Sequence, residues 1–134
     1  MSRLFLGVFL FVLGGCASAS VPMGVVTNSR DPQMWLRKIG VATQLQTVVT
    51  GDDTSSPKPS PEGYLLGASR LGLDPRTCLA IEDSFDGWRA AKEAGMHVAV
   101  LGDQIPDWLD TDSELLRRLV ASEILHIREA AVSR

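Results

Sequence analysis

The chain has 134 residues, a formal net charge of −3 and an ordinary globular composition, so it carries one domain at most, long enough to bury about two-thirds of its unfolded surface. Its 13 Lys and Arg residues are scattered without a basic block, which argues against nucleic acid as a partner. Cys16 and Cys78 lie far apart with no His at ligand spacing, which excludes a zinc knuckle and a disulfide scaffold.

The amino terminus is unusual. No charge occurs between Arg3 and Arg30, and the apolar run Leu4 to Leu13 leads into Gly14-Gly15-Cys16-Ala17-Ser18-Ala19. A basic start, an apolar core and a small-residue exit fit a secretory signal. Leu13-Gly14-Gly15-Cys16 also resembles a lipoprotein cleavage box, in which Cys16 would be lipidated. The run is too short to span a bilayer, which takes about 20 apolar residues. The other reading is a buried core helix or strand of a cytosolic protein. Both stay open on the residues alone.

Further along, Val21 to Val26 reads as a strand ending in Thr27-Asn28-Ser29. Asp31 as N-cap and Pro32 in the first turn open a helix with Met34, Trp35 and Ile39 on its apolar face, closed by Gly40. Gln46 to Thr50 is a second strand, stopping at Gly51-Asp52-Asp53, and residues 54–61 form a Ser/Pro-rich loop. A helix is expected from Pro61 to Leu71, then a turn at Asp74-Pro75, a strand from Thr77 to Ile81 and a helix from Asp86 to Ala94. His97 to Leu101 is a fourth strand, and Asp112 to Ala131 an amphipathic helix. Trp35 and Trp88 are expected in the core, and Cys78 as a small buried hydrophobe. Continuous apolar strands alternating with helices predict a parallel sheet covered on both faces.

In such a sheet, ligands bind beyond the carboxyl ends of the strands. There the sequence places Thr27, Asn28, Asp52, Asp53, Glu82, Asp83 and Asp103. Lys58 stands between Pro57 and Pro59, which fix the backbone around it. A hydroxyl, helix-opening amides, a directed cation and adjacent carboxylates suit a phosphate with a divalent metal. A solvated rim of charges is the plain alternative. His97 and His126 have no partner for nucleophilic catalysis, and Ser29, Ser60 and Ser84 have no adjacent His.

Val25-Val26-Thr27-Asn28-Ser29, then Lys58-Pro-Ser-Pro-Glu-Gly-Tyr-Leu65, then Ile81-Glu-Asp-Ser-Phe-Asp-Gly-Trp-Arg-Ala-Ala-Lys-Glu-Ala-Gly-Met96, resemble the second, third and fourth motifs of the haloacid dehalogenase-like hydrolases, in the order and spacing of that family. The branch is similar to β-phosphoglucomutases and phosphoglycolate-type phosphatases. The resemblance covers about residues 21–103. It implies a Rossmann-like α/β/α fold with a mostly parallel sheet. It also implies phosphate binding by Thr27, Asn28 and Lys58, charge stabilisation by Lys58 as a catalytic residue, and Mg²⁺ held by Glu82 and Asp83.

The departure concerns the first motif. That family's nucleophile is the first Asp of an Asp-x-Asp at the end of a central first strand, lying between the strands that end here in Thr27 and Asp83. No Asp precedes Asp31 in this chain, and the cap domain that follows the motif is missing too. The expectation is therefore a fragment lacking the first strand, with an apolar segment at 1–20, a core at 21–111 and a carboxyl-terminal helix at 112–134. Within that frame, the apolar segment is either a degenerate core helix or a patch over the gap in the sheet. The expected partner is a small phosphorylated metabolite, with a complementing chain as a further possibility. The expected place is the cytoplasm, with export, or lipid anchoring through Cys16, as the alternative; the membrane is a partner only if the first segment is a signal or a lipid anchor.

Overall fold

The computed structural model describes residues 6–10, 21–100 and 107. The expected carboxyl-terminal helix, Cys16, Asp103, Trp108 and His126 lie outside the described residues. In chain order the elements are β1 (Leu6–Leu10), β2 (Met23–Thr27), α1 (Gln33–Lys38), β3 (Thr47–Val49), α2 (Glu62–Leu71), β4 (Leu79–Glu82), α3 (Phe85–Glu93) and β5 (His97–Val100). Short 3₁₀ turns at Ala42–Gln44 and Pro75–Thr77 complete them. The chain is α/β and Rossmann-like.

The strands form one sheet in the order β3-β2-β1-β4-β5. β2 pairs parallel with β3, and β4 parallel with β5. β1 lies between these pairs and runs antiparallel to both neighbours, with Leu6 opposite Thr27, and Val8 opposite both Val25 and Ile81. Four strands thus share one direction and the central one opposes them. The degenerate helix considered for the first segment is corrected to a strand over Leu6–Leu10. The physical reason is the gap itself. Without β1, the facing edges of β2 and β4 would carry unpaired backbone groups in the middle of the sheet.

α2 packs on β2 and β3, α3 on β4 and β5, and the two helices touch each other. Val26, Val49, Tyr64, Ala68, Cys78, Ala80, Ala90, Ala91, Ala94 and Met96 form the core beneath them. Small residues on α3 let it lie close to the sheet. Both helices stop where glycine allows a left-handed residue. Gly72 has φ 68° and is followed by Leu73 N–H donating to Ala68 O at 3.0 Å, while Gly95 has φ 83° and is followed by Met96 N–H donating to Ala91 O at 3.1 Å.

α1 departs from expectation. Its inward residue is Leu36, fully buried, whereas Met34 and Ile39 are mostly exposed and Trp35 is 38% exposed. A helix of six residues presents only one side chain directly inward, and Trp35 instead lies under the Lys38 ammonium, 5.2 Å from its ring centre. Pro32 is the N-cap, and the Asp31 carboxylate accepts the Gln33 N–H at 3.3 Å. Trp88 is half-buried and stacked on the partly exposed Phe85 with 5.7 Å between ring centres. Cys78 is buried as expected, with its thiol pushed up to about 11 chiefly by burial.

Candidate functional site

The crossover through α2 carries the chain from β3 past β1 to β4, so the carboxyl ends of β2 and β4 flank the amino end of β1. Thr27 and Glu82 are the last residues of those two strands. Thr27 is buried, and its hydroxyl oxygen accepts the Ser29 N–H at 3.1 Å.

Asn28 is exposed, and its Oδ1 accepts the backbone N–H of Lys58 at 3.1 Å. That bond ties the loop after β2 to the loop before α2. The neighbouring loop comes equally close: Gly51 N–H donates to Ser29 O at 3.0 Å. A Cβ on Gly51 would stand 2.4 Å from the Asn28 carbonyl oxygen, so only glycine fits there. Asp53, one of the strand-end carboxylates, is engaged within its own loop and by α2. It accepts from Thr50 N–H and hydroxyl and from Arg70 at 2.6 Å, which holds its carboxyl well below the usual range.

Lys58 points inward. Its side chain is 3% exposed and its Nζ donates to Glu82 Oε1 at 2.5 Å. Burial pulls the ammonium below its ordinary value, against the opposing attraction of the Glu82 carboxylate. Tyr64, one turn into α2, also donates its hydroxyl to Glu82 Oε1 and accepts from Lys58 Nζ at 3.3 Å. Burial, with the Glu82 charge second, raises its phenol well above the ordinary value. Glu82 Oε2 is buried and has no hydrogen-bond partner among the described residues. It rests against Gly87, where a Cβ would come within 2.0 Å.

The two adjacent carboxylates thus face different surroundings. Glu82 is enclosed, whereas Asp83 is exposed beyond the strand end. α3 begins immediately after them because Ser84 caps it, its hydroxyl accepting the Gly87 N–H at 3.1 Å. Among the described residues no three His, Cys, Asp or Glu side chains gather into a ready metal cage. Asp83 fits a hydrated divalent cation, which keeps several waters and takes one or two carboxylates plus ligand oxygens. The role of Tyr64 was missed in the sequence, where it is one apolar-face residue of a helix. A phenol three residues after the second proline of Lys58-Pro-Ser-Pro-Glu-Gly-Tyr carries no motif of its own beyond that helical spacing.

An enclosed lysine, a buried threonine hydroxyl and an exposed aspartate thus stand at one end of a Rossmann-like sheet. The family model for haloacid dehalogenase-like hydrolases matches residues 11–101, and the chain belongs to that family. Among curated relatives it is 38% identical over 96 residues to the phosphoglycolate phosphatase of Salmonella paratyphi A, covering 66% of this chain and 38% of that one. It is 43% identical over 70 residues to YhcW of Bacillus subtilis, provisionally named a phosphatase, covering 52% of this chain and 32% of that one. Among solved structures, a Thermotoga maritima protein provisionally named a β-phosphoglucomutase superposes with TM-score 0.59 and 27% identity, over 80% of this chain and 51% of that one. The chain therefore spans well under half the length of these curated relatives. No described helix is long and apolar enough to cross a membrane.

Proposed function

We propose that this polypeptide is a phosphate-monoester site of the phosphatase and phosphomutase branch that keeps its electrostatic apparatus without a nucleophile. The observation that carries this is the pairing of Leu6 with Thr27 in the central strand. At the strand end where the resemblance calls for an attacking Asp, the residue in register with Thr27 is Leu6. Because β1 runs antiparallel, its carboxyl end lies at the far edge, beside Met23 and Leu79.

The remaining residues support binding of a small phosphorylated metabolite. Thr27 ends β2 where the resemblance puts a phosphate, and Lys58 supplies a fixed positive charge steadied by Glu82. Asp83 is the carboxylate that would hold Mg²⁺, which when bound neutralises phosphate charge. A complementing chain that brought a parallel strand with its own carboxylate would have to displace β1.

Removing a covalent nucleophile costs up to about a million-fold in rate in a serine protease. Hydrolysis of p-nitrophenyl phosphate by this polypeptide, measured with and without Mg²⁺, is expected at background. Robust Mg²⁺-dependent turnover that disappears in Asp83→Ala would overturn the proposal.

A further inference from the structure

Glu82 ends β4 beside Asp83, and the family resemblance implies that both carboxylates hold a metal. The geometry around Glu82 says otherwise. Oε1 already accepts two hydrogen bonds, from the Lys58 ammonium at 2.5 Å and from the Tyr64 hydroxyl. Oε2 lies against the Gly87 backbone with no room for even one carbon between them. The side chain has no solvent-exposed surface. A Mg²⁺ ion demands near-octahedral geometry and retains several waters; Oε2 has no hydrogen-bond partner among the described residues, but it is enclosed in a side chain with no exposed surface where a hydrated ion could sit. The negative charge is instead stabilised by Lys58 and by the amino-terminal turn of α3, the positive end of that helix.

We propose that Tyr64 is a positioning residue, whose hydroxyl locks the Glu82 carboxylate inward so that Glu82 is the counter-ion of Lys58 and Asp83 alone serves a cation. Tyr64 is fully buried on α2, an element packed on β2 and β3, so its ring is fixed by the core before its hydroxyl meets the carboxylate. It also accepts from Lys58, and the ammonium stands 4.9 Å from the ring centre. The phenol therefore touches both members of the ion pair and fixes the direction in which the lysine points. The Asp83 part of this inference rests on the reading of the site as a Mg²⁺–phosphate site; the Tyr64 part does not.

Tyr64 is the only tyrosine in the chain, which makes it its own probe. In ultraviolet resonance Raman spectra of the whole protein, its Fermi doublet is expected to show a strong hydrogen-bond donor, shifting towards a weaker donor in Glu82→Gln. A solvent-like doublet in the unaltered protein overturns the positioning role. In Tyr64→Phe, acetylation of Lys58 followed by peptide mass spectrometry is expected to rise relative to the exposed Lys38 and Lys92. An unchanged ratio in a folded variant also overturns it. Mg²⁺ titration calorimetry tests the division between the carboxylates. Asp83→Asn is expected to weaken binding about tenfold or more, the range seen for losing even an outer-shell partner, and Glu82→Gln, in protein shown by circular dichroism to be folded, to weaken it by clearly less. Equal losses would make Glu82 a ligand and sink the assignment. If the unaltered protein binds no Mg²⁺, the cation role of Asp83 falls with the metal reading, while the Raman and acetylation results still decide Tyr64.

Discussion

Lys58 and Glu82 form an ion pair whose side chains are 3% and 0% exposed. At such a site the desolvation of both charges offsets much of their attraction, so the intact pair contributes little net stability. Breaking it is a different matter, because the survivor remains charged in the core. Lys58→Met is expected to destabilise the fold by about 3–5 kcal/mol, read from urea unfolding. Glu82→Gln in that background is expected to recover most of the loss, since it removes the orphaned charge. A double-mutant cycle isolates this coupling, and strictly additive single effects would show that the two side chains do not meet. This residue-level arrangement was half legible in the sequence. The prolines around Lys58 signal a directed side chain, but its target could not be read. Whether a carboxylate at a strand end turns outward to a metal or inward to a lysine depends on Gly87 and Tyr64. Those residues lie five positions and a crossover away, on separate helices.

Among the elements, β2 to β5, α2 and α3 stand close to where their apolar runs and turn residues place them, because each is punctuated by glycine, proline or a capping serine. β1 was the ambiguous one. A ten-residue apolar run from Leu4 to Leu13 has no period to separate helix from strand, and composition equally fits a targeting segment. Its pairing is set by long-range contact with two edges that form only when the rest of the sheet is built. The strand's structural weight can be measured through its backbone. Val8 sits mid-strand with Val25 on one side and Ile81 on the other, and Val8→Pro removes a ladder donor from a central position. An orphaned buried partner costs about 1–3 kcal/mol, so the urea midpoint is expected to fall clearly. An unchanged midpoint would mean that β1 does not hold the central place. α1 fails differently: three apolar residues at helical spacing implied a buried face, but a helix this short buries Leu36 alone.

At the scale of the whole molecule, the polar loops are stitched by carboxylates whose charged forms are favoured in the fold. Arg70 and Thr50 hold Asp53 below the usual range, the Ser55 and Ser56 amides and the Ser55 hydroxyl lower Glu62, and Arg76 brings Asp74 down to about 2. These contacts join the loop after β3 to α2, and the loop before β4 to itself. Each group keeps an ordinary carboxylate pKa when unfolded, near 4. Between the folded and unfolded values, the unfolded chain therefore binds more protons, and stability rises with pH across that interval. The contribution is complete above the ordinary carboxylate range and is lost as pH falls from there towards about 2, the value for Asp74. Urea midpoints measured from pH 6 down to pH 3 are expected to hold steady at first and then drop below about pH 4. The combined variant Asp53→Asn, Glu62→Gln, Asp74→Asn starts from a lower plateau, because it lacks the charged acceptors, and its midpoint falls less steeply over the same interval. These groups lie on the surface, so raising the salt concentration should also shrink the difference between the two proteins. An equal slope in both would assign the acid sensitivity to other carboxylates and remove these three loop contacts from the account of the fold's stability.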